Sequence, residues 1–311
     1  MFDARRDGEK DWDHWNKGVV QMKYGIYYAY WEQEWSADYK PYIEKVAKLG
    51  FDCLEIACTP VVNYTRQEML DLKQCAKDNG IFLTAGHGPN ARQNLASADP
   101  EIAKGARAFY TDLLKRLELM DIHTIGGGIY SYWPVDYSKP IDKPGDWARS
   151  VAGVREMSKV AQDCGVDYCL EVLNRFEGYL LNTSEEAVQF VREVDCPAVK
   201  VMLDTFHMNI EEDSIGDAIR TAGPLLGHFH TGECNRRVPG KGRTPWREIG
   251  YALRDIGYDK NVVMEPFVRM GGTVGSDIKI WHDISRGATE AELDRDAAES
   301  VKFERYMLEN L

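Results

Sequence analysis

Four apolar runs in this chain end on side chains that bind metal ions or move protons. They are Cys169-Leu170-Glu171-Val172, Val201-Met202-Leu203-Asp204, His228-Phe229-His230 and Val263-Met264-Glu265. Two glutamates, an aspartate and a histidine form a hard, oxygen-rich donor set that suits Mn²⁺, Mg²⁺ or Co²⁺, with zinc also acceptable. Three carboxylates gathered without a cation would repel one another, and burying them unpaired is costly. Any one of the four could instead cap a helix or pair with a neighbouring cation. On four consecutive runs, a shared ion is the stronger reading.

Other groups fall near these run ends. His228 and His230 lie on the same face of an extended strand because side chains alternate with period two. His228 is the deeper of the two and reads as a satisfied interior residue. His207 follows Asp204 by three and is expected in a loop above it, better placed for substrate than for metal. Glu177 and Arg236 are the further polar contacts expected, and His87 in Gly86-His87-Gly88-Pro89 could line the same mouth. Aromatic residues crowd the same segments: Tyr27, Tyr30, Trp31, Trp35, Tyr130, Tyr132 and Trp133. Rings of this kind match the C–H faces of a sugar, or pack a barrel mouth or subunit contact.

The elements that must carry these residues are eight short apolar runs: Tyr24–Ala29, Cys53–Ala57, Ile81–Ala85, Ile122–Ile125, Tyr168–Val172, Val199–Leu203, Leu226–His230 and Val262–Glu265. Each interval is long enough for a loop and a crossover helix. Thr65 with Glu68, and Thr183 with Glu186, have capping-box spacing. Thr244 precedes Pro245, whose fixed φ suits a first helical position. Gly50, Gly80 and Gly257 mark helix stops. Ala187, Phe190, Val191 and Val194 form one helical stripe, as do Trp246, Ile249, Leu253 and Ile256. Continuous apolar strands alternating with helices predict an α/β fold with a parallel sheet, and eight units close into a (β/α)8 TIM barrel. An open doubly wound sheet is disfavoured, because Tyr30-Trp31-Glu32-Gln33-Glu34-Trp35 follows the first run where a glycine-rich phosphate turn would stand.

A chain of 311 residues that is 44% hydrophobic can bury one large core. Residues 22–311 are expected to form that barrel. Met1–Gln21, polar and mixed in charge, reads as an extension outside it, without the apolar run of a secretion signal. A formal charge of −12 argues against nucleic-acid or anionic-membrane partners. Seven cysteines without a CxxC pair read as reduced thiols of a cytoplasmic protein.

Gly25–Trp35, Cys169–Glu177, Val201–Asn209, His228–Arg236 and Met264–Phe267 together resemble the D-tagatose 3-epimerase family, most nearly its D-psicose (D-allulose) 3-epimerase branch. The resemblance runs from Met22 to Leu311. It implies a xylose-isomerase-like (β/α)8 barrel, one Mn²⁺ or Co²⁺ per subunit with Mg²⁺ possible, and a homodimer or homotetramer. Carried onto matching positions, it makes Glu171, Asp204, His230 and Glu265 the metal ligands and Glu171 and Glu265 the catalytic pair. It makes Glu177, His207 and Arg236 substrate contacts, joined by Tyr27, Gly128 and Trp133. The implied reaction is C3 epimerisation of a free ketohexose, D-fructose to D-psicose or D-tagatose to D-sorbose. Two carboxylates would deprotonate and reprotonate C3 through a cis-enediolate while a cation on O2 and O3 stabilises the developing charge. An aldose–ketose isomerase or polyol dehydratase on the same barrel is the alternative. A metal-dependent nuclease would want more histidines and a basic face, and a mere sugar-binding protein would not need two carboxylates on an ion.

Overall fold

The computed structural model describes residues 21–311, so all but the last residue of the expected extension at Met1–Gln21 lie outside the described residues. Eight parallel strands close on themselves in sequence order. They are β1 (Lys23–Tyr27), β2 (Cys53–Ala57), β3 (Phe82–Gly86), β4 (Thr124–Gly127), β5 (Asp167–Glu171), β6 (Val199–Asp204), β7 (Leu226–Thr231) and β8 (Asn261–Met264). β1 pairs with β8 to seal the barrel. Only β2 keeps both expected ends; the other strands shift by one or two residues at one or both ends. β1 stops at Tyr27 and turns into a 3-10 segment over Tyr28–Tyr30, and β8 stops at Met264, leaving Glu265 one residue past the strand.

The main helices are α1 (Lys40–Leu49), α2 (Arg66–Asp78), α3 (Pro100–Met120), α4 (Lys143–Asp163), α5 (Ser184–Val194), α6 (Thr205–Glu211), α7 (Ile215–Ala222), α8 (Trp246–Asp255), α9 (Gly272–Asp277) and α10 (Glu290–Glu309). The stripe expected on α5 is buried at all four positions, and its Phe and Val side chains each contribute roughly 1.5–3 kcal/mol by leaving water. Thr65 and Glu68 make the reciprocal capping box in front of α2. The box at Thr183 is only half formed: Thr183 Oγ1 accepts from Glu186 N, but the Glu186 carboxylate accepts from Asn182 N, one residue earlier, and pairs with Lys143. Pro245 is the N-cap of α8, with the helix starting at Trp246, and the Thr244 hydroxyl donates to Gly232 O and caps nothing. Gly50, Gly80 and Gly257 take positive φ at the helix stops. All seven cysteines are free thiols. No helix among the described residues is long and apolar enough to cross a membrane.

Candidate active site

Strand direction brings the carboxyl ends of all eight strands to one face, where side chains can meet across the barrel mouth. A register shift between β6 and β7 skips Gly227, pairing Met202 with His228 and setting Asp204 beside His230. Glu171 ends β5, Asp204 ends β6, His230 is the penultimate residue of β7, and Glu265 is tied in by its N–H donating to Thr231 O. The structure thus gathers all four: one donor atom from each lies within 4.8 Å of the others. Ligands surrounding a single ion at about 2.0–2.3 Å are separated by comparable distances.

The wiring of these donors leaves an opening of the right kind. Asp204 Oδ1 caps α6 by accepting from Phe206 N at 2.7 Å, while its Oδ2 is buried without a hydrogen-bond partner among the described residues. His230 donates through Nε2 to Glu55 Oε1 at 2.7 Å, and its Nδ1 is likewise buried and unpartnered, 3.6 Å from Glu265 Oε1. Burial, with Glu265 and Asp204 adding to it and His230 opposing, pushes the Glu171 carboxyl well above its usual range. Burial disfavours the His230 imidazolium, but Glu55 and Glu265 outweigh it and push that group up. Orphaned donors beside crowded carboxylates fit a divalent cation, whose charge relieves both faults.

Around this cluster the expected polar contacts also assemble. His207 sits on α6, a helix in place of the expected loop, because Asp204 nucleates the turn immediately after β6. Its Nδ1 accepts from Asn174 N and Nδ2 at 3.2 and 2.8 Å. Nε2 therefore carries the proton and faces Glu171 and Asp204 at 3.7 and 3.9 Å. Arg236 adopts φ +61° and is buried, reaching Glu177 at 3.3 Å, Glu265 at 3.4 Å and Asp204 at 3.8 Å. The guanidinium lies 3.5 Å from the centre of the Phe206 ring. Burial works against ionised Glu177, but His207 and Arg236 outweigh it and hold the carboxyl below its usual range.

A cavity of about 370 Å³ opens over the cluster, lined by Glu171, Glu177, His207, His230, Arg236 and Glu265 on one side. Tyr27, Trp35, His87, Gly128, Trp133 and Phe267 belong to the rest of its wall. Edge-to-face contacts link Trp133, Trp35, Phe267 and Tyr27 into one aromatic face. Four aromatics expected at the mouth lie elsewhere. Tyr30 and Trp31 turn outward to hydrogen-bond Leu293 O and Asp294 on α10, Tyr130 is buried on Glu171 O, and Tyr132 accepts from Asp136 N outside the cavity. Their hydroxyl and indole groups found partners in the surrounding shell instead. His87 does line the cavity, stacked on Phe109, and burial pulls its imidazole down to about 4. Gly127, with φ +122°, lets the chain pass: a Cβ there would stand 2.2 Å from His87 O.

Glu55, in the middle of β2, was not among the expected site residues. Both its oxygens are engaged by histidines, Oε1 by His230 and Oε2 by His228, each at 2.7 Å. His228 is therefore only half satisfied, since its Nδ1 has no partner among the described residues. The sequence signal was a lone carboxylate inside Cys53-Leu54-Glu55-Ile56-Ala57, a run buried on both faces where a charge requires partners. Asn174, which sets the orientation of His207, gave no such signal.

The chain belongs to the xylose isomerase-like TIM-barrel family, whose profile matches residues 43–294, and within it to the D-tagatose/D-psicose 3-epimerase group. It is 70% identical over 288 residues to the D-psicose 3-epimerase of Ruminiclostridium cellulolyticum, covering 93% of this chain and 98% of that protein. Identity to the D-psicose 3-epimerase of Agrobacterium fabrum is 59% over 287 residues, covering 92% and 99%. The structure superimposes on D-psicose 3-epimerase from Clostridium cellulolyticum H10, solved with D-tagatose, with a TM-score of 0.92 at 70% identity, over 93% of this chain and 100% of that one.

Proposed function

We propose that this epimerase inverts C3 of free ketohexoses, interconverting D-fructose and D-psicose or D-tagatose and D-sorbose. Curated relatives 55–70% identical over more than nine-tenths of this chain are D-psicose 3-epimerases, and this observation carries the reading. The convergence of Glu171, Asp204, His230 and Glu265 supports it.

In this reading those four residues hold one divalent ion, Mn²⁺ or Co²⁺ before Mg²⁺, through a donor set of three carboxylates and one imidazole. When bound, the ion supplies Lewis acidity that stabilises negative charge developing on the sugar oxygens. Glu171 and Glu265 stand on β5 and just after β8, on different sides of the cluster. One removes the C3 proton and the other returns a proton to the opposite face, the roles exchanging with the direction of reaction. Nε2–H of His207 donates to a sugar oxygen, and Arg236 with Glu177 binds and orients hydroxyls. Tyr27, Trp133 and the backbone at Gly128 close over the apolar face of the sugar and exclude water. No hydride acceptor is needed, because the carbon leaves and re-enters the same oxidation state. The enzyme acts in the cytoplasm as a homodimer or homotetramer.

The test is incubation with D-fructose and Mn²⁺, with and without a chelator, analysed for D-psicose. Chelator-sensitive formation of D-psicose, carrying deuterium at C3 when the solvent is D₂O, is the expected result. Absence of any 3-epimer from either D-fructose or D-tagatose sinks the proposal, and full retention of the original hydrogen sinks the two-carboxylate mechanism.

A further inference from the structure

Glu55 is fully buried on β2, in register with Tyr27 on one side and Thr84 on the other. Among the described residues no lysine or arginine pairs with it. Its partners are His230 Nε2 at 2.7 Å, His228 Nε2 at 2.7 Å and Thr84 Oγ1 at 2.8 Å. An ionised carboxylate only accepts hydrogen bonds, so each of these three partners must donate. When His230 is neutral, as a ligand must be, its one proton is then on Nε2 and the lone pair on Nδ1, the atom that faces Glu265 without a hydrogen-bond partner among the described residues. The fold also keeps space for this carboxylate. A Cβ on Gly86 of β3 would lie 3.2 Å from Glu55 Oε1 and 3.2 Å from the Tyr27 ring.

We propose that Glu55 is a positioning residue that fixes the tautomer and ring orientation of His230, so that Nδ1 is presented to the ion, and that it is not itself a ligand. The inference rests on the ion site of the proposed function. Buried carboxylate–imidazole pairs behind a metal-binding histidine orient the ring and raise its basicity, and their loss typically weakens metal binding about 10–100-fold. The geometry also separates this role from a second ion held by Glu55, His228 and His230. Those three do approach one another closely enough to suggest one, but an Nε2 that donates to the carboxylate has no lone pair left to ligate.

Glu55→Gln keeps the shape and removes the all-acceptor character. Its amide accepts from one histidine and turns an N–H toward the other, so one ring must give up its Nε2 proton. The experiment measures Mn²⁺ binding to metal-stripped wild type and E55Q by electron paramagnetic resonance, with melting temperatures of both apo proteins. Expected are one ion per wild-type subunit, an affinity about 10–100-fold weaker in E55Q, and near-normal KM for D-fructose once Mn²⁺ is saturating. Equal Mn²⁺ affinity in a folded E55Q overturns the proposal, as does a second ion per subunit that E55Q loses. A measurement independent of the variant is the long-range ¹H–¹⁵N spectrum of the histidine rings in the wild type. With diamagnetic Mg²⁺ bound, a proton on Nε2 of His230 and none on Nδ1 is expected, and a proton on Nδ1 with Nε2 bare overturns the proposal even if E55Q fails to fold. Wild type that binds no Mn²⁺ removes the ion site itself and this role with it, whereas a bound ion with unaltered E55Q affinity removes only the role.

Discussion

At the carboxyl ends of β5 to β8 the barrel presents Glu171, Asp204, His230 and Glu265, while the corresponding ends of β1 to β4 present Tyr27, Ala57, Gly86 and Gly127. The first half is crowded with carboxylates, and Asp204 Oδ2 and His230 Nδ1 there lack a hydrogen-bond partner among the described residues. The second is aromatic rings and glycines, which offer volume and no charge. Neither half could do the chemistry alone. Carboxylates beside open water would be solvated and weak, and an apolar slot has nothing with which to move a proton. Walls that keep solvent and its screening away also perturb ionisable groups on both sides of the mouth, raising Glu171 and lowering His87.

The comparison is broken most severely by removing acid–base function from the polar half. Glu171→Gln or Glu265→Gln is expected to lower kcat by about 10²–10⁴-fold or more, read from D-psicose formation, with the barrel still folded by circular dichroism. Equal activity in either variant would falsify the division of labour. If the proposed ion is held there, withdrawing it leaves three carboxylates facing one another. Saturating Mn²⁺ at a hundred times its Kd should stabilise the fold by about 2.7 kcal/mol over the chelated protein, seen as a higher melting temperature. Wild type whose melting does not respond to Mn²⁺ contradicts the site. On the apolar half, Trp133→Ala should raise KM up to about tenfold with a smaller change in kcat, since a ring contact contributes roughly 0.5–1.5 kcal/mol beyond its area.

The smallest effect on catalysis, and the one that sharpens the boundary of the site, is expected away from the mouth. Glu304 on α10 is buried behind β7 against Thr231, and burial pushes its carboxyl up to about 8. Between the usual glutamate range and that value, the folded protein holds a proton that the unfolded chain has released. Stability contributed at this position therefore falls as pH rises through the window. Glu304→Gln should match wild type near pH 4.5, melt higher than wild type at pH 8, and leave KM unchanged. A melting difference that does not vary with pH would contradict this account of Glu304.

Much of this arrangement was legible in the chain. The apolar runs located eight strands because a strand buried on both faces has no polar alternation to hide it, and their ends located the four converging side chains. Edges were misplaced by a residue or two where the backbone turned early, as at Tyr27 and Met264. The capping of α5 was misread because Glu186 had a second donor, Asn182, and a second partner, Lys143. Neither competition is encoded in the spacing of Thr183 and Glu186.

The residue types and their order along the strands determined which donors could exist and which face of each strand they would occupy, because alternation with period two is a local property of extended backbone. Barrel closure decided the rest. It set Glu55 of β2 against two histidines of β7, more than 170 positions away, and folded Arg236 across onto Glu177. Such distances depend on how eight strands tilt and register around a ring, and no short stretch of chain carries that information.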